Sequence, residues 1–164
     1  MPFVRMYMQT KGSPQAIRVE ASEPHKDLQN SNTADFATAV ILVVDDDPLQ
    51  RDILKEILSD EGYKTHVASS AEEALKVTKT LKPNIVLTDL RMHKMDGMEL
   101  MKNLRSQPDA PEVIIMSAFG TPVIIEESLE KGAFSFIKKP FDKHQVLLNI
   151  NQALEIAAKI IKSE

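Results

Sequence analysis

The sequence contains no cysteine, so no disulfide braces the fold and no thiolate serves as nucleophile or metal ligand. That absence fits an intracellular, cytoplasmic protein. Long apolar runs are missing too. The longest, AVILVV from Ala39 to Val44, falls far short of the ~20 residues that cross a bilayer, and the N-terminus has no extended apolar signal core. The expectation is a soluble chain without membrane insertion. There is also no basic stripe. Lys and Arg number 20 against 24 Asp and Glu, a formal net charge of −4. The positive charges are scattered and no DNA-reading motif occurs, so direct contact with nucleic acid is not expected.

What is present suffices for one core: 164 residues, 43% of them hydrophobic, suit one domain plus an appendage. Residues 1–38 carry four basic residues, four acidic residues and three prolines with no sustained period. They read as a flexible arm or an extension left by cloning. Their apolar first eight residues also suit a docking strand, or translation begun upstream of a start at Met6 or Met8. Residues 39–164 read as the domain.

From Val40 onward five strand-like runs, VILVV, YKTHVA, NIVLT, VIIM and FSFI, each precede a helix-length segment. This rhythm predicts a parallel α/β sheet with helices on both faces. Helix starts are marked by Asp47 before Pro48, by Ser70 with Glu73 and by Asp142 with Gln145. Gly62 and Gly132 stand where helices stop. The first, third and fourth runs are almost wholly apolar, as strands covered on both faces must be. They belong in the centre, and right-handed crossovers then favour the order 2-1-3-4-5. The crevice opens at the carboxyl ends of strands 1 and 3.

Strand 1 runs into Asp45, Asp46 and Asp47, and strand 3 ends at Asp89. Like charges gathered so closely need water, a cation or a partner charge to offset their repulsion. An oxygen-rich set with few protein ligands suits Mg²⁺. Strand 4 ends in Ser117 and Ala118, and strand 5 in Lys138, Lys139 and Pro140, which adds a hydroxyl and an ammonium to the same edge. Carboxylates, a divalent cation, a hydroxyl and a lysine make a phosphoryl-transfer site. Asp89, alone at the end of a central strand, is the expected nucleophile, and Asp45 and Asp46 are better placed to hold the cation.

The segments VVDDDP, LTDLRMHKMDG, IIMSAFG and GAFSFIKKPF resemble, in order and spacing, the four signature segments of the response-regulator receiver domain over about residues 39–160. The resemblance implies the flavodoxin-like (βα)5 fold with strand order 2-1-3-4-5. It implies Mg²⁺ held by Asp45, Asp46, Asp89 and the backbone carbonyl of Arg91, with Asp46 a direct ligand. Asp89 would be the phosphoacceptor, Ser117 the switch hydroxyl, Phe136 the aromatic switch and Lys139 the lysine beside a cis bond to Pro140. The implied donor is a phosphohistidine on a sensor histidine kinase or a histidine phosphotransfer protein. The receiver would assist its own phosphorylation and dephosphorylation without being an enzyme in the ordinary sense. Its output surface would be helix 4, strand 5 and helix 5, open to a downstream target or a second copy of the chain.

One departure is His93, where the family usually has proline after Met92, and it suggests a more mobile loop. Arg91 and Phe119 occupy positions that modulate dephosphorylation across the family. Structural readings are preferred elsewhere: Asp47 as a helix cap, Lys138 as a solvated edge residue, Asp96–Gly97 as a turn before helix 3, and His93 and His144 without a chemical role. The last helix repeats apolar residues at Leu147, Ile150, Leu154, Ala157 and Ile161, which suits the core. A second flank through Val146, Ala153 and Ile160 suggests packing on a partner or second copy.

Two other functions stay open. Asp45 and Asp47 form an Asp-x-Asp after a strand, as in haloacid-dehalogenase-like phosphatases, although Leu49 is atypical there and no cap region is evident. A receiver-like module that is not phosphorylated and works through its surface is the other. A calcium loop with Asp45, Asp47 and Glu56 at positions 1, 3 and 12 fails at Leu49 and Gln50.

Overall fold

The structure, a computed structural model, describes residues 38–161, with side chains as far as Ala158. The extension expected over residues 1–38 lies outside the described residues apart from Thr38, as do the side chains of Ile160 and Ile161. Among the described residues, five strands alternate with five helices. In chain order these are β1 Val40–Val44, α1 Pro48–Asp60, β2 Lys64–Ala68, α2 Ala71–Leu81, β3 Ile85–Asp89, α3 Gly97–Arg105, β4 Glu112–Ser117, α4 Pro122–Glu130, β5 Ser135–Lys138 and α5 Lys143–Ile161. All neighbouring strands are parallel and run in the order β2-β1-β3-β4-β5. The sheet order expected from the apolar pattern is the one observed.

The alternation of side chains along each strand divides the interior in two. Ile41, Val43, Ile85, Leu87, Ile114 and Met116 face Leu54 and Leu58 of α1 and Val146, Ile150, Ala153 and Leu154 of α5. Leu42, Val44, Val86, Val113 and Ile115 face Ala71 and Ala74 of α2 and Leu100, Met101 and Leu104 of α3, with Ile124, Ile125 and Leu129 of α4 packed against them. Every residue from Ile41 to Val44 and from Ile85 to Leu87 has no exposed surface, as a central parallel strand requires.

Helix ends follow the side-chain chemistry expected of them. Asp47 caps α1 by accepting the Leu49 N–H, and Pro48 opens the helix. Asp142 and Gln145 each accept the other's backbone N–H, a full capping box. At α2, Ser70 accepts the Glu73 N–H, while the Glu73 carboxylate turns back to the N–H and hydroxyl of Ser69, one residue earlier than a standard box. Gly62 and Gly132 adopt positive φ and end α1 and α4 with six-to-one bonds, Tyr63 N–H to Leu58 and Ala133 N–H to Ser128. Helix α2 stops without glycine. Lys82 takes the left-handed conformation (φ 48°), because the following Pro83 disfavours a right-handed helical residue there.

The α5 expectation needs correction. Its flank through Val146 and Ala153, expected to meet a partner, is fully buried against the sheet, and Leu147 is only partly buried. The helix is rotated so that the Val146–Ile150–Ala153–Leu154 face fills the volume over β3 to β5, and Leu148 is left at the surface, 44% exposed.

Asp96 caps α3 through the Glu99 N–H, and Gly97 brings that helix start against the end of β3. The Gly97 N–H bonds Leu90 O at 2.8 Å, and a Cβ on Gly97 would fall 2.4 Å from the Asp89 carbonyl oxygen. Gly97→Ala is therefore expected to destabilise the domain by about 1–3 kcal/mol, as overpacking does. Urea unfolding should show a lower midpoint with an unchanged m-value.

Candidate functional site

The carboxyl edge of the sheet gathers side chains from four strand ends. Asp45 follows β1 and has 1% of its surface exposed. Its backbone N–H bonds Ala68 O of β2, its carbonyl accepts from the Arg51 guanidinium at 2.7 Å, and its Oδ1 accepts the Asp47 N–H at 2.9 Å. Asp89 is fixed by the pairing of β3 with β4, where it lies opposite Met116, and by the Leu90 N–H to Met116 O bond. Lys139 follows β5, and its N–H bonds Ser117 O at 2.8 Å. The Lys139–Pro140 peptide is cis, as the sequence resemblance implied.

The lysine ammonium bridges two of the acids, 3.0 Å from Asp45 Oδ2 and 3.2 Å from Asp89 Oδ1. Asp45, Asp46 and Asp89 each bring a carboxylate oxygen within 4.8 Å of the others. Of the residues expected at this edge, these three acids and Lys139 are thus brought together. Ser117 is buried at the end of β4, and its hydroxyl accepts the Phe119 N–H at 3.0 Å. Phe136 is buried, 6% exposed, on the α3 and α4 side of the sheet. Arg91 and Phe119 are both exposed and reach each other from separate loops, the guanidinium lying 4.5 Å from the ring centroid. Lys138 points to solvent.

His93, given no chemical role on its spacing, has a polar partner at the acidic edge. Its Nδ1 lies 2.8 Å from Asp46 Oδ2, and its carbonyl accepts the Met95 N–H at 2.9 Å. The histidine that replaces proline ties the loop back to the acidic edge. No spacing rule signals this contact, because the partners are separated by 47 positions and meet only when β1 and β3 pair.

The charges do not balance. Burial raises the Asp89 pKa above the usual carboxylate range; Lys139 lowers it, and the neighbouring charges of Asp45 and Asp46 raise it further. Burial also opposes the Lys139 charge, yet Asp45 and Asp89 together outweigh it and raise the ammonium pKa. The asymmetry is physical: the lysine is shared by two anions, whereas Asp89 has a share in one cation and faces two like charges. Three carboxylates against one ammonium leave an excess negative charge. A group of hard oxygen donors with that deficit fits Mg²⁺ better than a transition metal.

A doubly wound parallel sheet in the order β2-β1-β3-β4-β5 is of the flavodoxin-like class, and the acids and lysine lie at its switch point, where ligands of such sheets bind. The chain belongs to the response regulator receiver domain family, whose sequence model matches residues 41–151. It is 38% identical over 106 residues to sporulation initiation phosphotransferase F of Bacillus subtilis (strain 168), covering 65% of this chain and 86% of that protein. It is 35% identical over 116 residues to the regulatory protein AtoC of Escherichia coli (strain K12), covering 71% of this chain but 25% of AtoC. The chain thus spans about a quarter of the length of that relative. Among solved structures it resembles a CheY-like receiver domain protein from Methanospirillum hungatei JF-1, with a TM-score of 0.70, 30% identity and coverage of 74% of this chain and 98% of that one. It is a receiver domain, the phosphoacceptor type of module found in two-component response regulators. No helix among the described residues is long and apolar enough to cross a membrane.

Because burial holds the Asp89 pKa up, the folded state keeps this proton more tightly than the unfolded chain does. The resulting stabilisation is complete below the ordinary aspartate pKa and is lost as pH rises through the raised value. In metal-free buffer at neutral pH, Asp89→Asn should therefore melt a few degrees higher than the wild type. Calorimetric scans should show the gap closing as pH falls into the ordinary carboxylate range.

Proposed function

We propose that this receiver, occupying residues 39–164, takes a phosphoryl group on Asp89 from a phosphohistidine of a sensor histidine kinase or histidine phosphotransfer protein. The observation that carries the reading is the convergence of Asp89 with Asp45, Asp46 and Lys139 at the carboxyl edge of the sheet. An Asp89 oxygen attacks phosphorus, the new P–O bond forms as the P–N bond breaks, and the electron pair leaves on the donor imidazole. Lys139 stands against the phosphoryl oxygens and offsets their charge. Asp45, Asp46, Asp89 and the Arg91 carbonyl would hold Mg²⁺, which would supply further neutralisation of those oxygens. The chain thereby assists its own phosphorylation and dephosphorylation while acting as a signalling protein.

Ser117 and Phe136 are the switch residues. A new phosphoryl charge of roughly −1.5 to −2 draws the Ser117 hydroxyl, and the surface formed by α4, β5 and α5 changes with it. That surface exposes Val123 (71%) and Leu148 (44%), apolar side chains suited to a downstream protein or to a homodimer. The cytoplasm, where kinase and receiver meet, is the expected compartment. A dehalogenase-like phosphatase using Asp45 is disfavoured by geometry. The second acid of that Asp-x-Asp, Asp47, accepts the Leu49 N–H and caps α1.

Incubation with acetyl phosphate and Mg²⁺ should add one phosphoryl group by intact mass, and none to Asp89→Asn or without Mg²⁺. A wild type that stays unmodified and also fails to bind beryllofluoride would sink the reading. Mg²⁺ at a hundredfold excess over its Kd should stabilise the wild type by about 2.7 kcal/mol, and Asp46→Asn far less. The Arg91–Phe119 pair bridges the two loops flanking Asp89, so it limits access of attacking water. Alanine at either position should shorten the aspartyl-phosphate half-life severalfold, as followed by release of inorganic phosphate.

A further inference from the structure

Gly120 lies three residues past Ser117, in the loop between β4 and α4. Its φ lies outside the left-handed region that demands glycine, so the backbone itself would accept any L-residue. A side chain is excluded for another reason. A Cβ at position 120 would fall 2.8 Å from Cε1 and 3.4 Å from Cζ of Phe136, with Ile125 Cδ1 at 3.5 Å. The Phe136 ring rests its tip on the bare Gly120 backbone.

The ring has little free room around it. Phe136 is 6% exposed and belongs to the buried cluster with Ile115 and Ala133, so its other sides are already in contact. The loop is held as well. The Ser117 hydroxyl accepts the Phe119 N–H one residue before Gly120, and Ser117 O accepts the Lys139 N–H. A methyl group at 120 therefore displaces the inward ring or the loop that carries Phe119 and Ser117.

We propose that Gly120 is the seat of the aromatic switch: the absent side chain at 120 sets how much of the population holds Phe136 inside, and thereby how tightly the site binds a phosphoryl group. The inference rests on the reading of Asp89 as phosphoacceptor coupled to Phe136. Linkage makes the effect reciprocal. If a phosphoryl group favours the inward ring, a substitution that opposes the inward ring weakens the phosphoryl group's hold by the same factor. Gly120 acts here as a positioning residue through Phe136, apart from the acids and the lysine.

The test is a titration of Gly120→Ala with beryllofluoride in saturating Mg²⁺, beside wild type, Phe136→Leu and the double variant. Gly120→Ala should bind about fivefold or more weakly, the low end of what overfilling a packed core costs. The loss should vanish against the Phe136→Leu background, where the ring tip is gone. Binding of Gly120→Ala within about twofold of wild type, or an undiminished loss in the double variant, overturns the proposal while leaving Asp89 as acceptor. Failure of the wild type itself to bind beryllofluoride or to accept a phosphoryl group overturns the acceptor reading, and this proposal with it. Should Gly120→Ala not fold, the wild type alone decides. A nuclear Overhauser contact between the Gly120 Hα protons and the Phe136 ring must be present and must strengthen on saturation, and its absence from the saturated form overturns the assignment.

Discussion

Lys139 reaches back across the sheet edge to lie between Asp45 and Asp89, 3.0 and 3.2 Å from their oxygens. That ammonium is what allows β1 and β3 to end side by side in acids. A buried and a half-buried carboxylate at the mouth of adjacent strands repel, and burial strengthens the repulsion by removing water. One cation shared between them offsets part of that cost. It does not offset all of it, since Asp46 adds a third charge and Asp89 remains above its ordinary pKa. A site left short of positive charge in its resting fold is one in which a divalent cation gains more than it loses on dehydration.

The rest of the edge is organised to keep that pair aligned. Asp45 is held through its own backbone by Ala68 and Arg51, and Lys139 is held by Ser117 O. Glycine then permits two close approaches at the edge. Gly97 lets α3 start against the Asp89 carbonyl, and Gly120 lets the Phe136 ring meet the loop that carries Ser117. In neither case does φ call for glycine; the requirement is space.

The sheet order was legible because the apolar runs VILVV, NIVLT and VIIM can only be central strands, and the caps because Asp47, Asp142 and Gln145 act within their own turn. The acidic edge was legible for the same reason: a strand end is a location that the order of strands fixes. What the sequence hid are effects of distance and rotation. The face of α5 was misjudged because Leu147 and Val146 are adjacent and equally apolar, so periodicity left the helix phase open by one residue. The end of α2 at Lys82 lacked a glycine to mark it. The approach of His93 to Asp46 joins loops that only the tertiary fold brings together, and the crowding at Gly120 has no signature beyond a glycine in a loop.

The division of the interior into two clusters bears on which surface responds to the site. The α1 and α5 cluster is tied at its rim by Tyr63 Oη donating to Asn151 and by Lys143 paired with Glu61. Phe136, Ile124 and Ile125 lie in the other cluster, under the loop that begins at the Ser117 hydroxyl. Close packing passes a shift first to direct neighbours. Under the proposed switching at Ser117, a shift there reaches α4 and β5 before α1. The polarity of the proposed response follows from which face of β5 carries the aromatic ring: Phe136 and Ile137 point to opposite sides of the sheet, and the Phe136 ring meets Gly120 of the Ser117 loop.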